Sequence, residues 1–577
     1  MTVAVEIDTN PPWDKDKKRI LVSAEFRDKE LVKTIPGHKW DEGARSWWFP
    51  LGWPSCVMLR GTFGDRLQIG EELTEWASNE VTNRVNPCLW LREQKDYPYV
   101  TERYALGEKL LPFQRVGAAF MAWGKRTLIG DEMGLGKTVQ VIAALELLGD
   151  DAYPALIVCN TSMKRGWRDE FATWAPGRKV QIISGSAAKR RKQFAEPADV
   201  YVMNWELLAK HGRLSGYGYI RLSEKEKEDG DLQLKGFRTK VADEVHRAKD
   251  PKAKQTRAWW AVPAKNVIGV TATPVANSPE DLWSIMHGIA PDEWPSKTAF
   301  VDRFALQSWN GFGGMSVVGI KSEAREEFFK ILDPRFIRRP TAAVLPELDA
   351  LKLPPQRRLV DLGTKQRKAY DSLKKEMIAD LESGVLVATN PLERLGRLRQ
   401  FACAYGEVDE NGALTLTDPS CKVDALLEIL EETGGLQVAV FAESRQLIEL
   451  AHRRLTHEKI SCVMVTGAVN EADKALHVQE FQGGKHQVIL LTLGAGSESI
   501  TLTAAHKGIF LQRSFSQLKN TQAEGRLPRI GLDHRVQYID VVAADTVEEA
   551  MFDVLADKER RLEEVVRDEE TLRRWLA

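Results

Sequence analysis

The sequence predicts an α/β chain: two tandem doubly wound parallel-sheet lobes, preceded by a small α+β domain. Three observations carry that expectation. Runs such as Ala155-Leu156-Ile157-Val158-Cys159 and Val488-Ile489-Leu490-Leu491 are apolar throughout rather than alternating, as parallel strands covered on both faces must be. Each run ends in a polar turn followed by a stretch of helical period, the rhythm of a doubly wound sheet. That rhythm occurs twice, over 96–345 and again over 419–577, with 346–418 between them read as a helical connector and 1–95 as a separate small domain.

Composition narrows the class. A chain of 577 residues has room for about three or four domains. The formal net charge is -1, so no global basic field announces a nucleic acid, and any polyanion site must come from local patches. The six cysteines (Cys56, Cys88, Cys159, Cys403, Cys421, Cys462) form no Cys-x-x-Cys pair, which argues against a zinc ribbon or a disulfide framework and fits a reducing compartment. No signal-peptide pattern and no apolar run of membrane-spanning length is present. The expected location is therefore cytoplasm or nucleoid, or a nucleus in a eukaryote.

In the N-terminal domain, Arg19 to Phe26 reads as a strand, Asp28 to Thr34 as a short amphipathic helix and Gln68 to Val85 as a longer one. Between them, Lys39-Trp40 and Ser46-Trp47-Trp48-Phe49-Pro50 flank the polar turn Asp41-Glu42-Gly43, a hairpin signal. Two readings stand for its tryptophans. They form the core of a small domain, or they stack on bases beside Lys39 and Arg45.

The first lobe is organised around Asp131-Glu132-Met133-Gly134-Leu135-Gly136-Lys137-Thr138. Strand, glycine loop, Lys-Thr and helix make a phosphate-binding loop, in which backbone N–H groups and a helix N-terminus meet phosphate oxygens. Lys137 then reaches the β- and γ-phosphates of ATP, and the Thr138 hydroxyl holds Mg²⁺. The strict pattern places Gly where this chain has Asp131, so the loop is a variant. Upstream, Gln114 offers an amide that could read the adenine edge, or simply sits at a helix start. Thr161 and Ser162 follow the strand 155–159, with Lys164 on the helix after them and Asn204 at the end of the strand 199–203; strand ends are where an open α/β sheet binds ligands, here a nucleic-acid backbone. The basic run Lys189-Arg190-Arg191-Lys192 is a solvated helix face or a further DNA contact. Residues 207–236 read as an exposed charged insertion.

Asp243-Glu244-Val245-His246 supplies two adjacent carboxylates for two tasks: Asp243 on the metal and Glu244 on the attacking water. Alone such a pair marks a wet surface. About a hundred residues after a phosphate loop, at a strand end, it marks a hydrolytic site. Thr271, Thr273, Pro274 and Asn277 follow another strand, where hydroxyls can couple the His246 edge to the nucleic-acid side. In the connector, Arg394-Leu395-Gly396-Arg397-Leu398-Arg399-Gln400 reads as a solvated helix. In the second lobe, Ser444 and Thr492 end apolar strands and would hold strand phosphates. Gln522 opens a stretch containing Arg526 and Arg529, three apart on one helical face, which fits arginine fingers.

In this order the stretches resemble motifs Q, I, Ia, Ib, II, III, IV, V and VI of superfamily-2 helicases, and more narrowly the Swi/Snf-type branch. The narrower likeness rests on Asp131 to Thr138, Asp243-Glu244-Val245-His246-Arg247-Ala248-Lys249, Thr271 to Asn277, and the lobe-joining stretch Ile337-Arg338-Arg339-Pro340 to Leu348. The N-terminal strand, short helix and tryptophan hairpin are similar to the HARP module of annealing helicases. The resemblance implies two RecA-like lobes, ATP and Mg²⁺ as cofactors, and DNA as partner, gripped mainly by its backbone. It implies a monomeric motor that moves on duplex, forked or bubble DNA, with a replication, repair or nuclease partner. Compact size with no chromatin-reader segment points to a bacterial or phage source. Three departures bear on DNA grip and lobe coupling. Gly496-Ser497-Glu498-Ser499 replaces the usual Gly-Gly, Gly531-Leu532 the usual Gly-Gln, and Arg513-Ser514-Phe515-Ser516 the usual Trp-Asn-Pro.

Overall fold

A computed structural model describes residues 2–8, 18–211, 236–273, 279–309, 315–382, 391–408, 414–496 and 500–552. Most of the 207–236 insertion, Pro274, Asn277, Ser497 to Ser499 and the expected C-terminal helix lie outside them. The described residues divide into two compact units. One comprises the chain up to Glu132 with Gly136–Pro340; the other comprises Met133–Leu135 and the chain from Thr341 on.

The first unit opens on a five-stranded sheet of β1 (Val3–Asp8), β2 (Arg19–Ser23), β3 (Lys39–Asp41), β4 (Ser46–Pro50) and β5 (Leu67–Ile69), in the order β3-β4-β2-β1-β5. β3 and β4 form the expected antiparallel hairpin. Its turn closes on Asp41, whose Oδ1 accepts the N–H groups of Gly43 and Ala44 at 2.9 and 3.1 Å. Two expectations need correction. Gln68 lies in β5, and the helix begins only at Glu71, because Gly70 donates its N–H to Val5 and starts the turn there. The tryptophans are not the core. Val3, Val5, Ile20, Val22 and Phe49 are fully buried, whereas Trp40 is 49% exposed and Trp47 and Trp48 are half-buried. The rings instead pack edge-on over the surface, with Lys39 Nζ 4.9 Å and the Arg19 guanidinium 5.5 Å from the Trp48 ring.

Beyond it lies a parallel sheet of seven strands. In chain order they are β6 (Arg126–Ile129), β7 (Ala155–Cys159), β8 (Val180–Ile182), β9 (Val200–Asn204), β10 (Thr239–Asp243) and β11 (Asn266–Val270). An antiparallel hairpin, β12 (Ala305–Trp309) with β13 (Met315–Ile320), precedes the seventh strand, β14 (Phe336–Ile337). The order across the sheet is β14-β6-β11-β10-β7-β9-β8. Alternation sends Leu128, Leu156, Val158, Met203 and Ala242 to one face and Ile129, Ile157, Val202, Val241 and Ile268 to the other. The first face shares one continuous core with the N-terminal sheet, through Trp294, Phe300 and Phe328. The N-terminal domain is therefore bonded into this unit: Trp53 Nε1 donates to the Lys330 carbonyl at 3.0 Å, Arg303 to Thr62 Oγ1 at 3.1 Å, and Arg92 pairs with Asp333 at 2.6 Å.

The charged residue that interrupts β10, Lys240, is 3% exposed, and its Nζ donates to the carbonyls of Trp259 and Val262 at 2.9 and 3.0 Å. Burial pulls its ammonium down to about 7.

The second unit contains β15 (Gln356–Val360), the hairpin β16 (Tyr405–Val408) and β17 (Leu414–Thr417), then β18 (Val438–Ala442), β19 (Cys462–Val465), β20 (Val488–Thr492), β21 (Lys507–Phe510) and β22 (Gln537–Ala543). Its six-stranded sheet is parallel throughout, in the order β15-β22-β21-β18-β20-β19. β15 lies inside the stretch read as a helical connector. It is an edge strand, so its outer residues stay solvated and no apolar run marks it.

Candidate functional site

β6 leads into the glycine loop, and helix Lys137–Leu148 leaves it. Gly134 and Gly136 take φ of +83° and +69°, the left-handed region that side chains avoid. Lys137 Nζ donates to the carbonyls of Asp131 and Glu132 at 2.8 and 2.9 Å, which draws the ammonium back over the loop. Thr138 stands half-buried in the first helical turn, and Leu135 is fully buried.

Asp131 does not face a ligand. It is fully buried and ion-paired with Arg339: Nε donates to Oδ1 at 3.0 Å, and Nη2 lies against Oδ2. Arg339 Nη2 also donates to Gln140 Oε1 at 2.8 Å, and Nη1 donates to the Phe113 carbonyl. The departure from the strict glycine pattern is thus a buried ion pair. Gln114 is likewise engaged within the protein: its Oε1 accepts the Leu111 N–H at 3.0 Å, capping the helix Pro112–Gly124.

Asp243 ends β10, and Glu244 takes φ 51° and ψ 50°, a left-handed conformation rare outside glycine and typical of strained functional turns. Asp243 Oδ1 accepts the Glu244 N–H at 3.0 Å, and Oδ2 accepts Trp167 Nε1 at 2.9 Å. Burial and the neighbouring Glu244 charge push its carboxyl up to about 6, against the Trp167 hydrogen bond and the Lys137 charge. β6 and β10 run parallel on either side of β11, so the loop and the acidic pair leave the same edge of the sheet. His246 Nδ1 lies 3.1 Å from Glu244 Oε2 and 3.0 Å from Thr271 Oγ1, and Thr271 Oγ1 accepts the Thr273 N–H at 3.1 Å. The expected coupling residues of this unit therefore meet.

The expected nucleic-acid residues do not all face outward. Thr161 is exposed at the start of helix Met163–Trp174, whereas the Ser162 hydroxyl is buried. Lys164 and Asn204 are 9% and 7% exposed and bond to each other at 3.2 Å. Burial lowers the Lys164 ammonium, and Asn204 also donates to Glu206 at 2.7 Å. These two residues brace the strand ends rather than present charge to a strand. Their placement was hidden because Lys and Asn read as surface residues in sequence.

In the second unit, Ser444 caps helix Arg445–His457: its Oγ accepts the Leu447 N–H at 3.4 Å. It lines a pocket of about 590 Å³ with Arg399, Gln400, Gln446 and Gln512. Arg399 is not solvated as expected. It is 7% exposed, pairs with Glu443 at 3.0 Å and donates to the Arg513 carbonyl at 2.6 Å. Thr492 ends β20 and is buried. Gln522 lies in helix Gln517–Glu524, but Arg526 and Arg529 follow it: Gly525 ends the helix, and Pro528 would break any continuation. They do not share a helical face. Arg529 is held instead by Thr501 Oγ1 at 2.7 Å and by the Gly525 carbonyl at 3.1 Å, and burial pulls it down to about 10.

Among the described residues no cluster of three or more His, Cys, Asp or Glu could hold a metal, and no helix is long and apolar enough to cross a membrane. A hydroxyl and one carboxylate suit Mg²⁺ that is bound mainly through nucleotide phosphates and water.

Known proteins share this arrangement in sequence. Residues 113–407 match the SNF2-related domain, and residues 421–531 match the helicase conserved C-terminal domain. An uncharacterised ATP-dependent helicase of Mycoplasma genitalium is 27% identical over 447 residues, 75% of this chain and 39% of that protein. The CHD3-type chromatin-remodeling factor PICKLE of Arabidopsis thaliana is 25% identical over 534 residues, 85% of this chain and 36% of its own length. The chain thus spans well under half the length of these curated relatives. Among solved structures, the Sulfolobus solfataricus SWI2/SNF2 ATPase core in complex with dsDNA is 22% identical, with a TM-score of 0.37, covering 81% of this chain and 95% of that one. With more than half of its length matched by the first of these domains and the second following in order, the chain belongs to the SNF2-related family of helicase-like proteins.

Proposed function

We propose that the chain is a DNA-dependent ATPase, a translocase that converts ATP hydrolysis into movement along duplex, forked or bubble DNA. The observation that carries the reading is that the glycine loop after β6 and the Asp243-Glu244 turn after β10 leave the same edge of one parallel sheet, in a chain that also brings the second helicase domain. Glycine-loop N–H groups and Lys137 would bind the phosphates. Thr138 and Asp243 would hold Mg²⁺, which when bound neutralises charge on the phosphates. Glu244, with His246 beside it, would orient the attacking water and take its proton. Arg526 and Arg529 would act as fingers on the developing charge. Thr161 and, in the second unit, Ser444 would each hold a backbone phosphate, with His246, Thr271, Thr273 and Gln522 coupling the two tasks.

The exposed Trp40 and the neighbouring Lys39, whose ammonium lies over the Trp48 ring, support a HARP-like accessory role at forks or in strand rewinding.

The test is ATP hydrolysis without DNA and with single-stranded, duplex and forked DNA, beside Glu244→Gln. Stimulation by duplex or fork, abolished in the variant, is the expected result. Stimulation by single strands alone would replace the translocase with a strand-separating helicase. Failure of every DNA to stimulate would refute the motor. Hydrolysis without displacement of a triplex strand would leave an ATP-gated clamp, whereas activity that needs an added nuclease partner would point to a motor subunit of a restriction or defence complex.

A further inference from the structure

Elements beside its own strand hold Asp243. The Trp167 indole N–H, 2.9 Å from Oδ2, fixes the carboxylate, and the Trp205 indole N–H, 3.0 Å from the Asp243 carbonyl, fixes the backbone beneath it. Both rings are buried, at 1% and 0% exposure. An indole N–H can only donate, and a clamped ring cannot follow a rotating carboxylate. Turning Asp243 therefore costs a charge-assisted hydrogen bond.

The two donors come from the elements nearest the strand ends. Trp167 lies on helix Met163–Trp174, which begins directly after Thr161 and Ser162; Trp205 directly follows Asn204 at the end of β9. A second layer locks these elements together. Arg247 donates to Asn160 Oδ1 and to Glu206 Oε1, both at 2.6 Å. Glu206 Oε2 in turn accepts Asn204 at 2.7 Å, and Asn204 accepts Lys164, on the Trp167 helix, at 3.2 Å. The helix start, the β9 end and the acidic turn are thus joined by one hydrogen-bond network.

We propose that Trp167 is a positioning residue: its indole N–H sets the Asp243 carboxylate for magnesium-bound nucleotide, and makes that setting follow the helix whose first residues meet the DNA strand. The inference rests on the functional reading above, and goes beyond it by naming the link from strand to metal carboxylate. This link is separate from the His246–Thr271 contact on the other side of the acidic pair.

Trp167→Phe keeps a buried aromatic ring and removes the donor. The control is Trp259→Phe, which removes a buried indole N–H that has no acceptor among the described residues. The full chain is titrated with a fluorescent non-hydrolysable ATP analogue, with and without Mg²⁺ and with and without duplex DNA, beside Asp243→Asn. Without Mg²⁺, Trp167→Phe should bind the analogue as the parent does. It should need roughly 10- to 100-fold more Mg²⁺ for tight binding, the usual effect of losing a group that orients a metal ligand. Duplex DNA should no longer shift that requirement, and Trp259→Phe should match the parent. Parental Mg²⁺ and DNA responses in Trp167→Phe would overturn the proposal, as would an equal defect in Trp259→Phe, which would make the effect one of packing. If Asp243→Asn itself kept the parental Mg²⁺ response, the metal reading of Asp243 would fall, and the proposal with it.

Discussion

Arg339→Met tests the ion pair at the root of the phosphate loop. In the parent, Arg339 serves both oxygens of a fully buried Asp131, together with Gln140 Oε1 and the Phe113 carbonyl. Once it is removed, the Gln140 amide still donates to Asp131 Oδ2 at 3.2 Å. Breaking a buried pair from one side costs about 3–5 kcal/mol, because the remaining charge stays out of water. Replacing both partners by apolar groups is often nearly neutral. Asp131→Gly, which restores the strict loop pattern, should therefore rescue much of the loss when combined with Arg339→Met. Every tryptophan except Trp575 precedes Thr341, so indole fluorescence follows the first unit separately from the second. At about 2 °C per kcal/mol or somewhat less for a unit of this size, the single variant should melt roughly 5 °C or more below the parent, and the double variant close to it. Nucleotide affinity should fall in the single variant and partly return in the double. A single variant that melts and binds nucleotide like the parent would refute the reasoning. So would a double variant no better than the single, which would show that Arg339 does not act through Asp131.

Three further outcomes follow from particular contacts. Lys240, with its folded-state ammonium pulled to about 7, binds fewer protons folded than unfolded between about pH 7 and 10.5. Its contribution to stability should therefore rise with pH across that window, and the indole-fluorescence melting of the parent should gain on Lys240→Met from pH 7 to 9. Arg529→Ala should lower kcat for DNA-stimulated hydrolysis by roughly 10³- to 10⁵-fold with little change in nucleotide KM, if Arg529 acts as a finger; an unchanged kcat removes it from the site. Deleting 1–95 should give a chain that aggregates or melts early, since it uncovers the face shared with Trp294, Phe300 and Phe328 and strips Asp333 of Arg92. A soluble truncation that melts like the parent would contradict the shared core.

What could be read in the sequence was what repeats a local physical rule. The buried strands β7, β18 and β20 are continuous apolar runs because helices cover both faces, and no other reading fits them. The glycine loop and the Asp243-Glu244 turn were legible for the same reason: few residue types tolerate the φ values or the charges these turns require. Edge strands escaped. β15 carries Gln356 and Arg357 exposed and Arg358 paired with Glu428 and Glu432, and β5 is three residues long. Buried polar residues escaped as well. Lys164, Lys240 and Arg399 carry charges that sequence alone places at a surface, and each is enclosed because a partner farther along the chain accepts its hydrogens; Asn204 is enclosed as the acceptor of the Lys164 ammonium. Arg526 and Arg529 were misread by spacing alone, although Gly525 and Pro528 already marked the end of the helix.

The most informative residue was the one that broke the pattern. Asp131 stands where a strict phosphate loop has Gly, and a loop that needs only close approach to phosphate gains nothing from a buried carboxylate there. Its partner explains it. Arg339 lies in the segment by which the chain leaves the first unit, and that segment runs beside the loop as an extra strand. β14 pairs in parallel with β6, the Gly130 N–H donates to the Ile337 carbonyl at 2.8 Å, and the Glu132 N–H donates to the Arg339 carbonyl at 3.1 Å. Gly130 has no side chain because the Phe336 ring occupies that space; an added Cβ would lie 2.7 Å from it. Backbone bonds, a ring contact and a buried ion pair thus tie the first residues of the loop to the exit of the chain. The start of the loop and the segment that follows β14 are held together within the first unit. Asp131→Gly would keep the phosphate cradle, the backbone bonds and the Phe336 contact and lose only the ion pair, so the double variant should approach the parent in stability, and DNA-stimulated turnover that stays low in it would assign the coupling to the ion pair itself.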